Sequence, residues 1–168
     1  SLDAEARAAG ELVVSSVCKN LIHVYRLHEA ARKGRGAPDG VEPRTVEAVG
    51  VLGAGVMGGG IAQLAAYNGI RVRMKDIRHE AVASGLQHAR ELFDTAVERH
   101  KLTRREADQA MERIAGGVDY HGFAAADVVV EAVVERMDVK RAVLKEVEAE
   151  VDDDAVIATN TSSLSANE

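Results

Sequence analysis

Gly53, Gly55 and Gly58, followed by Asp76, are the residues of this chain whose types and spacing can do chemistry. Three positions without a Cβ in the pattern GxGxxG let a chain turn tightly, bring its backbone close to an anion, and pack the next helix against the preceding strand. A helix opening at that turn points its unpaired N–H groups, and a dipole end of roughly half an elementary charge, at the same place. Such a grip on a pyrophosphate needs no lysine. Asp76 stands 18 residues beyond Gly58, where a carboxylate can accept hydrogen bonds from both hydroxyls of a ribose and repel a 2′-phosphate. The constellation is that of a dinucleotide site, read as NAD over NADP, although Lys75 and Arg78 flank the acid. The plainer reading of the glycines, a turn that merely permits helix packing, is weakened by the acid standing in register.

The elements needed to hold these residues are visible around them. Val46 to Leu52 reads as a buried strand, Val56 to Asn68 as the helix after the turn, and Ile70 to Met74 as a second strand ending just before Asp76. From Arg78 to Ala115 the pattern is two helices, about 78–100 and 104–114, with Thr103 and Glu106 forming a capping-box signature for the second. A helical hairpin between the second and third strands is an elaboration, read either as a substrate-touching element or as a solvated flap. A short strand near 117–120, the valine run Asp127 to Val134, an amphipathic helix 139–151 and a strand 155–159 complete the pattern. The expected fold is α/β: a Rossmann-type doubly wound parallel sheet ordered 3-2-1-4-5, with ligand crossing the carboxyl ends of its strands. Before it, residues 3–33 read as one helix, with Leu12, Val13, Val17, Leu21, Val24, Tyr25 and Leu27 at helical spacing. The stretch 34–43, holding both prolines of the chain, reads as a linker.

Composition bounds the function. The 168 residues carry a formal charge of −6, and 46% are hydrophobic against 29% charged, as in an ordinary globular domain without the basic face of a general nucleic-acid or membrane-surface binder. No apolar run approaches the ~20 residues of a membrane span, and the opening residues do not read as a signal sequence. The single cysteine, Cys18, excludes an internal disulfide framework and is expected to be a buried, inert thiol. A cytoplasmic setting is the expectation. The six histidines are scattered without metal-ligand spacing, and surface or capping roles are expected for all of them.

Longer motifs sharpen the reading. GAGVMGGGIAQLAAYNG, MKDI, DVVVEAVVERMDVK and IATNTSSL, in that order, resemble the NAD-binding domain of the L-3-hydroxyacyl-CoA dehydrogenases of fatty-acid β-oxidation, from about Val46 to the end. The segment SSVCKNLIHVYRLHEAARK resembles the connection between the enoyl-CoA hydratase and dehydrogenase parts of a multifunctional oxidation-complex α-subunit. The resemblance divides the chain into a linker helix and loop, 1–45, and an incomplete NAD-binding domain, 46–168. It implies that Gly53, Gly55, Met57 and Gly58 form the phosphate turn and that Asp76 holds the adenine ribose. Val133, Val134 and Glu135, with Lys140 alongside, then contact the nicotinamide-side ribose. Ser162 orients the substrate's 3-oxygen; without the family it reads as a helix cap. Strand alternation puts Glu131 and Glu135 on the same side, so the end position of Glu135 is what distinguishes it. For Lys140 a solvated helix position is the alternative.

The implied reaction oxidises a (3S)-3-hydroxyacyl-CoA to the 3-oxoacyl-CoA, a histidine paired with a glutamate removing the hydroxyl proton as hydride passes to NAD. The family places that pair after the NTSSL segment, beyond Glu168, and His121 is no substitute by position. The expectation is a chain that binds NAD without turning over, cut from a parent that takes an acyl-CoA substrate and associates with a thiolase subunit. Other readings are a free-standing 3-hydroxybutyryl-CoA dehydrogenase, a relative such as L-gulonate 3-dehydrogenase, or a non-catalytic assembly module docking a partner through its long apolar helix.

Overall fold

The computed structural model describes residues 2–33, 40 and 42–162, which fall into two compact units, 1–44 and 45–168. Most of the expected linker 34–43, and the end of the NTSSL motif, lie outside the described residues. No helix among the described residues is long and apolar enough to cross a membrane.

The first unit corrects the single helix expected over 3–33. It holds two, α1 (Leu2–Val14) and α2 (Ser16–Arg32), separated at Ser15. Ser15 leaves the helical region at φ −64°, ψ 152° and caps α2, its Oγ accepting from the Cys18 N–H at 3.2 Å. Serine favours such a cap because its side chain satisfies an N–H that the new helix leaves unpaired. Apolar periodicity ran straight through this break and concealed it. No residue of either helix is buried, and Cys18 is half-buried where a buried thiol was expected.

The second unit is a five-stranded parallel sheet in the expected order, β3-β2-β1-β4-β5. Its strands are β1 (Ala48–Leu52), β2 (Arg71–Lys75), β3 (Ile114–Gly117), β4 (Val128–Glu131) and β5 (Val156–Thr159). Helix α3 (Val56–Tyr67) links β1 to β2, α4 (His79–Glu98) and α5 (Arg104–Met111) link β2 to β3, and α6 (Met137–Glu148) links β4 to β5. Between β3 and β4 runs only a 3₁₀ turn, Phe123–Ala125.

Alternation within β1 explains its unbroken apolar run, since both faces are covered. Val49 and Val51 join Ala62 and Ala66 of α3, Met74 of β2, and Ala89 and Phe93 of α4 in one core. Leu52 joins Phe123, Val129 and Val147 of α6 in the other. The hairpin between β2 and β3 is therefore no solvated flap: α4 buries Val82, Gly85, Ala89 and Phe93, and α5 buries Ala107 and Ala110. Arg90 to Asp108 at 2.6 Å, and Arg104 to Asp94, tie α5 back to α4, while Thr103 and Glu106 form the expected capping box. Two strand positions need correction. β3 lies at 114–117 and not near 117–120, and β4 ends at Glu131, leaving 132–135 as a loop.

Candidate cofactor site

At the carboxyl ends of the strands the chain leaves β1 through Gly53, whose φ of +97° lies in the left-handed region and whose added Cβ would stand 2.6 Å from the Ala132 carbonyl oxygen. Its N–H donates to the Lys75 carbonyl at 2.8 Å, fixing the turn to the end of β2. Helix α3 then starts so close beneath that a Cβ on Gly58 would lie 1.8 Å from the Gly53 carbonyl oxygen. Gly55, the N-cap, is the opposite case. A Cβ there meets nothing within 4 Å, and no side chain caps the helix. The open space lies at the positive end of α3, where the first-turn N–H groups lack helical partners.

Asp76 closes the turn from the other side. Its Oδ2 accepts from the Ala54 N–H at 2.8 Å and its Oδ1 from its neighbour's N–H, Ile77, at 2.7 Å. Both oxygens are thereby oriented while each keeps acceptor capacity for a sugar hydroxyl. A cleft of about 540 Å³ runs from here across β1 to the β4 end, lined by Gly53, Gly55, Asp76, Val133 and Val134 among others. That volume is within the usual range for a small-molecule site. Its far wall is apolar, with Val139 and Val143 of α6, and the first turns of α4 contribute Glu80, Ala81 and Ser84. Sequence reading missed this α4 edge because polar residues in a first helical turn carry no signal beyond solvation.

The remaining expected residues are not in the lining of this cleft. Gly58 is buried under the turn, and Met57 is exposed on the first turn of α3. Glu135 is exposed in the loop after β4, with its Oε2 accepting from the Thr161 hydroxyl. Ser162 is exposed after β5. Lys140 departs furthest from the solvated alternative: it is 4% exposed, with its ammonium 2.9 Å from both oxygens of Glu131, itself fully buried. Burial alone would push the Glu131 carboxyl up. The Thr159 hydroxyl, Lys140 and the Val133 N–H together outweigh it and hold the group below the ordinary glutamate value. An acid inside a run of valines was the available signal, because a buried carboxylate requires a partner. Glu131 and Glu135 do not share a strand face, because β4 stops at Glu131 and Glu135 lies in the loop beyond it.

A dinucleotide fits these residues: the open space at Gly55 admits a phosphate, and Asp76 presents oriented acceptors one strand away. Comparison with known proteins agrees. Residues 48–168 match the model of the 3-hydroxyacyl-CoA dehydrogenase NAD-binding domain. The chain belongs to that family. It is also 42% identical, over 99% of its length, to the fatty acid oxidation complex subunit alpha of Pseudomonas putida, and spans 23% of that relative. Among solved structures, (S)-3-hydroxybutyryl-CoA dehydrogenase of Ralstonia eutropha superposes with a TM-score of 0.69 at 39% identity, covering 72% of this chain and 43% of that one. The 3-hydroxybutyryl-CoA dehydrogenase of Escherichia coli K12 gives the same score at 36% identity, over 73% of this chain and 26% of its own. This chain therefore carries a Rossmann-type NAD-binding domain of the 3-hydroxyacyl-CoA dehydrogenases.

Proposed function

We propose that these residues hold and orient NAD for the oxidation of a (3S)-3-hydroxyacyl-CoA to its 3-oxoacyl-CoA within a multifunctional fatty-acid oxidation α-subunit. The observation that carries this reading is the joined geometry of the Gly53 to Gly58 turn and Asp76, one bonded to the other through Ala54. The whole-chain similarity to an oxidation-complex α-subunit supports the choice of parent, since residues 1–45 are included in the match. On that reading residues 1–45 are the link from a hydratase part, and 46–168 form the dehydrogenase's cofactor domain. Acyl-CoA is the substrate, a thiolase subunit the partner, and the cytoplasm the setting.

NAD bound here would accept the C3 hydride. The chain's own contribution is to seat the pyrophosphate on the α3 N-terminus, hold the adenine ribose on Asp76, and line the second half of the crevice with Val133 and Val134, with Glu135 next in the loop. Lys140 and Ser162 complete the proposed set, Ser162 facing the substrate's 3-oxygen. The proton-removing histidine and its glutamate are supplied from outside these 168 residues.

Titration of the 168-residue chain with NADH, followed by fluorescence and repeated with NADPH, tests the cofactor assignment. Selective NADH binding is expected, and absence of binding would refute it. Incubation of the same chain with 3-hydroxybutyryl-CoA and NAD should produce no NADH, and measurable turnover would show that the acid-base groups are already present.

A further inference from the structure

Glu131 gathers more of the structure than any packing role requires. Its Oε1 accepts from the Val133 N–H at 2.7 Å and from Lys140 Nζ at 2.9 Å, and its Oε2 accepts from Lys140 Nζ at 2.9 Å and the Thr159 hydroxyl at 2.6 Å. One buried carboxylate thus joins the end of β4, the end of β5, the first turn of α6 and the loop 132–135. The network continues outward. The Thr161 N–H donates to Thr159 Oγ1 at 3.2 Å, the Thr161 hydroxyl donates to Glu135, and Lys140 Nζ lies 3.8 Å from Glu135. Replacing a buried ion pair by apolar side chains of similar volume is often neutral or stabilising, so stability alone is a weak reason to build one here.

The position of the network supplies a better reason. A dinucleotide lies across the crevice where the strand order reverses. With the diphosphate at β1 and one ribose at Asp76 on the β2 side, its other nucleoside must lie over β4 and β5. The surfaces it meets there are the loop 132–135 and the segment after β5, the two that the Glu131 network fixes.

We propose that Glu131 is a positioning residue for the nicotinamide half of the cofactor: through Lys140, Thr159 and the Val133 N–H it sets the 133–135 loop and the segment leading to Ser162. Glu131 does not touch the cofactor. This inference rests on the cofactor reading above and assigns a task to a residue that the resemblance leaves without one.

ADP and NADH, titrated separately by calorimetry into the 168-residue chain, give the test. ADP presents only the adenosine and diphosphate, whereas NADH adds the half that Glu131 governs. Glu131→Gln keeps the shape and removes the charge, and it should retain ADP affinity while losing about fivefold or more in NADH affinity, the equivalent of one good hydrogen bond. Asp76→Ala should weaken both ligands. Equal losses for both ligands in Glu131→Gln, or no loss for either, would overturn the proposal. If Glu131→Gln fails to fold, Thr159→Val removes one hydrogen bond to Glu131 and leaves Lys140 in place. The same NADH-selective loss is then expected, and a folded Thr159→Val variant that binds NADH as the unaltered chain does would overturn the proposal. Binding of neither ligand by the unaltered chain would overturn the cofactor reading, and this inference with it.

Discussion

Gly55 and Gly58 lie three positions apart, and the same substitution should act on them in opposite ways. At Gly58 an added methyl collides with the Gly53 carbonyl oxygen, so Gly58→Ala should destabilise the fold by more than about 2 kcal/mol. At Gly55 the backbone has φ −74° and the space beyond is open. Gly55→Ala should therefore cost about 1 kcal/mol or less as a poorer N-cap, while NADH affinity falls because the methyl occupies the phosphate's approach. Denaturant unfolding and NADH titration of both variants would show whether the two effects separate. Asp76→Ala, by contrast, should weaken NADH binding by roughly 1 to 3 kcal/mol through lost ribose hydrogen bonds, measured by the same titration. Glu131 makes an acid-side prediction. Its carboxyl is held below the ordinary 4.5, so it stabilises the folded state above that pH, and the contribution disappears as pH falls through the folded value. Thermal midpoints should therefore drop on acidification below about pH 4.5, and Glu131→Gln should flatten that descent.

Helix ends, the next scale up, show where the sequence could be read and where it could not. At the end of α4 the N–H groups of His100 and Lys101 donate to the carbonyls of Val97 and Ala96 at 2.9 Å each, the bonding of a Schellman cap. His100 occupies the left-handed position, at φ 56°, which favours glycine. At the end of α3 that place is held by Gly69, at φ 86°. His100→Gly should accordingly stabilise the unit by about 1 kcal/mol, visible as a higher denaturation midpoint, and an unchanged or lower midpoint would show that the imidazole contributes something to the cap. Thr103 and Glu106 could be recognised in advance because a capping box depends on four consecutive residues. The end of β4 could not, because alternation continues through Val133 while the ladder stops when its neighbours β1 and β5 run out. The break at Ser15 was hidden for a related reason: a serine within a run of helix formers reads as a tolerated interior residue until its φ and ψ are known.

Across the whole molecule, every buried residue among those described lies between Val49 and Val147. Both cores and the cleft belong to the second unit. A chain shortened to 45–168 should retain the denaturation midpoint of that unit and its NADH affinity, and a large loss of either would reveal a contribution from the first 44 residues. Sheet order and the position of the crevice were legible because parallel connections through helices leave few topologies open. The Glu131 to Lys140 pair was not, since it joins residues on two elements whose register only the folded sheet determines. The second core is also thinner than the first. It is covered by α6 and the 3₁₀ turn, with Tyr120 edge-on to Phe123 at 5.4 Å and Lys75 lying over the Tyr120 ring at 4.3 Å.

The bond from the Ala54 N–H to Asp76 has a consequence for cofactor engineering. The same carboxylate that would discriminate between the two nicotinamide coenzymes also braces the loop that grips their shared diphosphate. An attempt to convert the chain to NADP by neutralising Asp76 would loosen that loop as it removed the repulsion, so affinity for both coenzymes would fall before preference could invert. A successful conversion would have to leave an acceptor for Ala54 in place and supply the new phosphate with a cation from elsewhere, for which Arg78, on the rim of the cleft, is the residue already at hand.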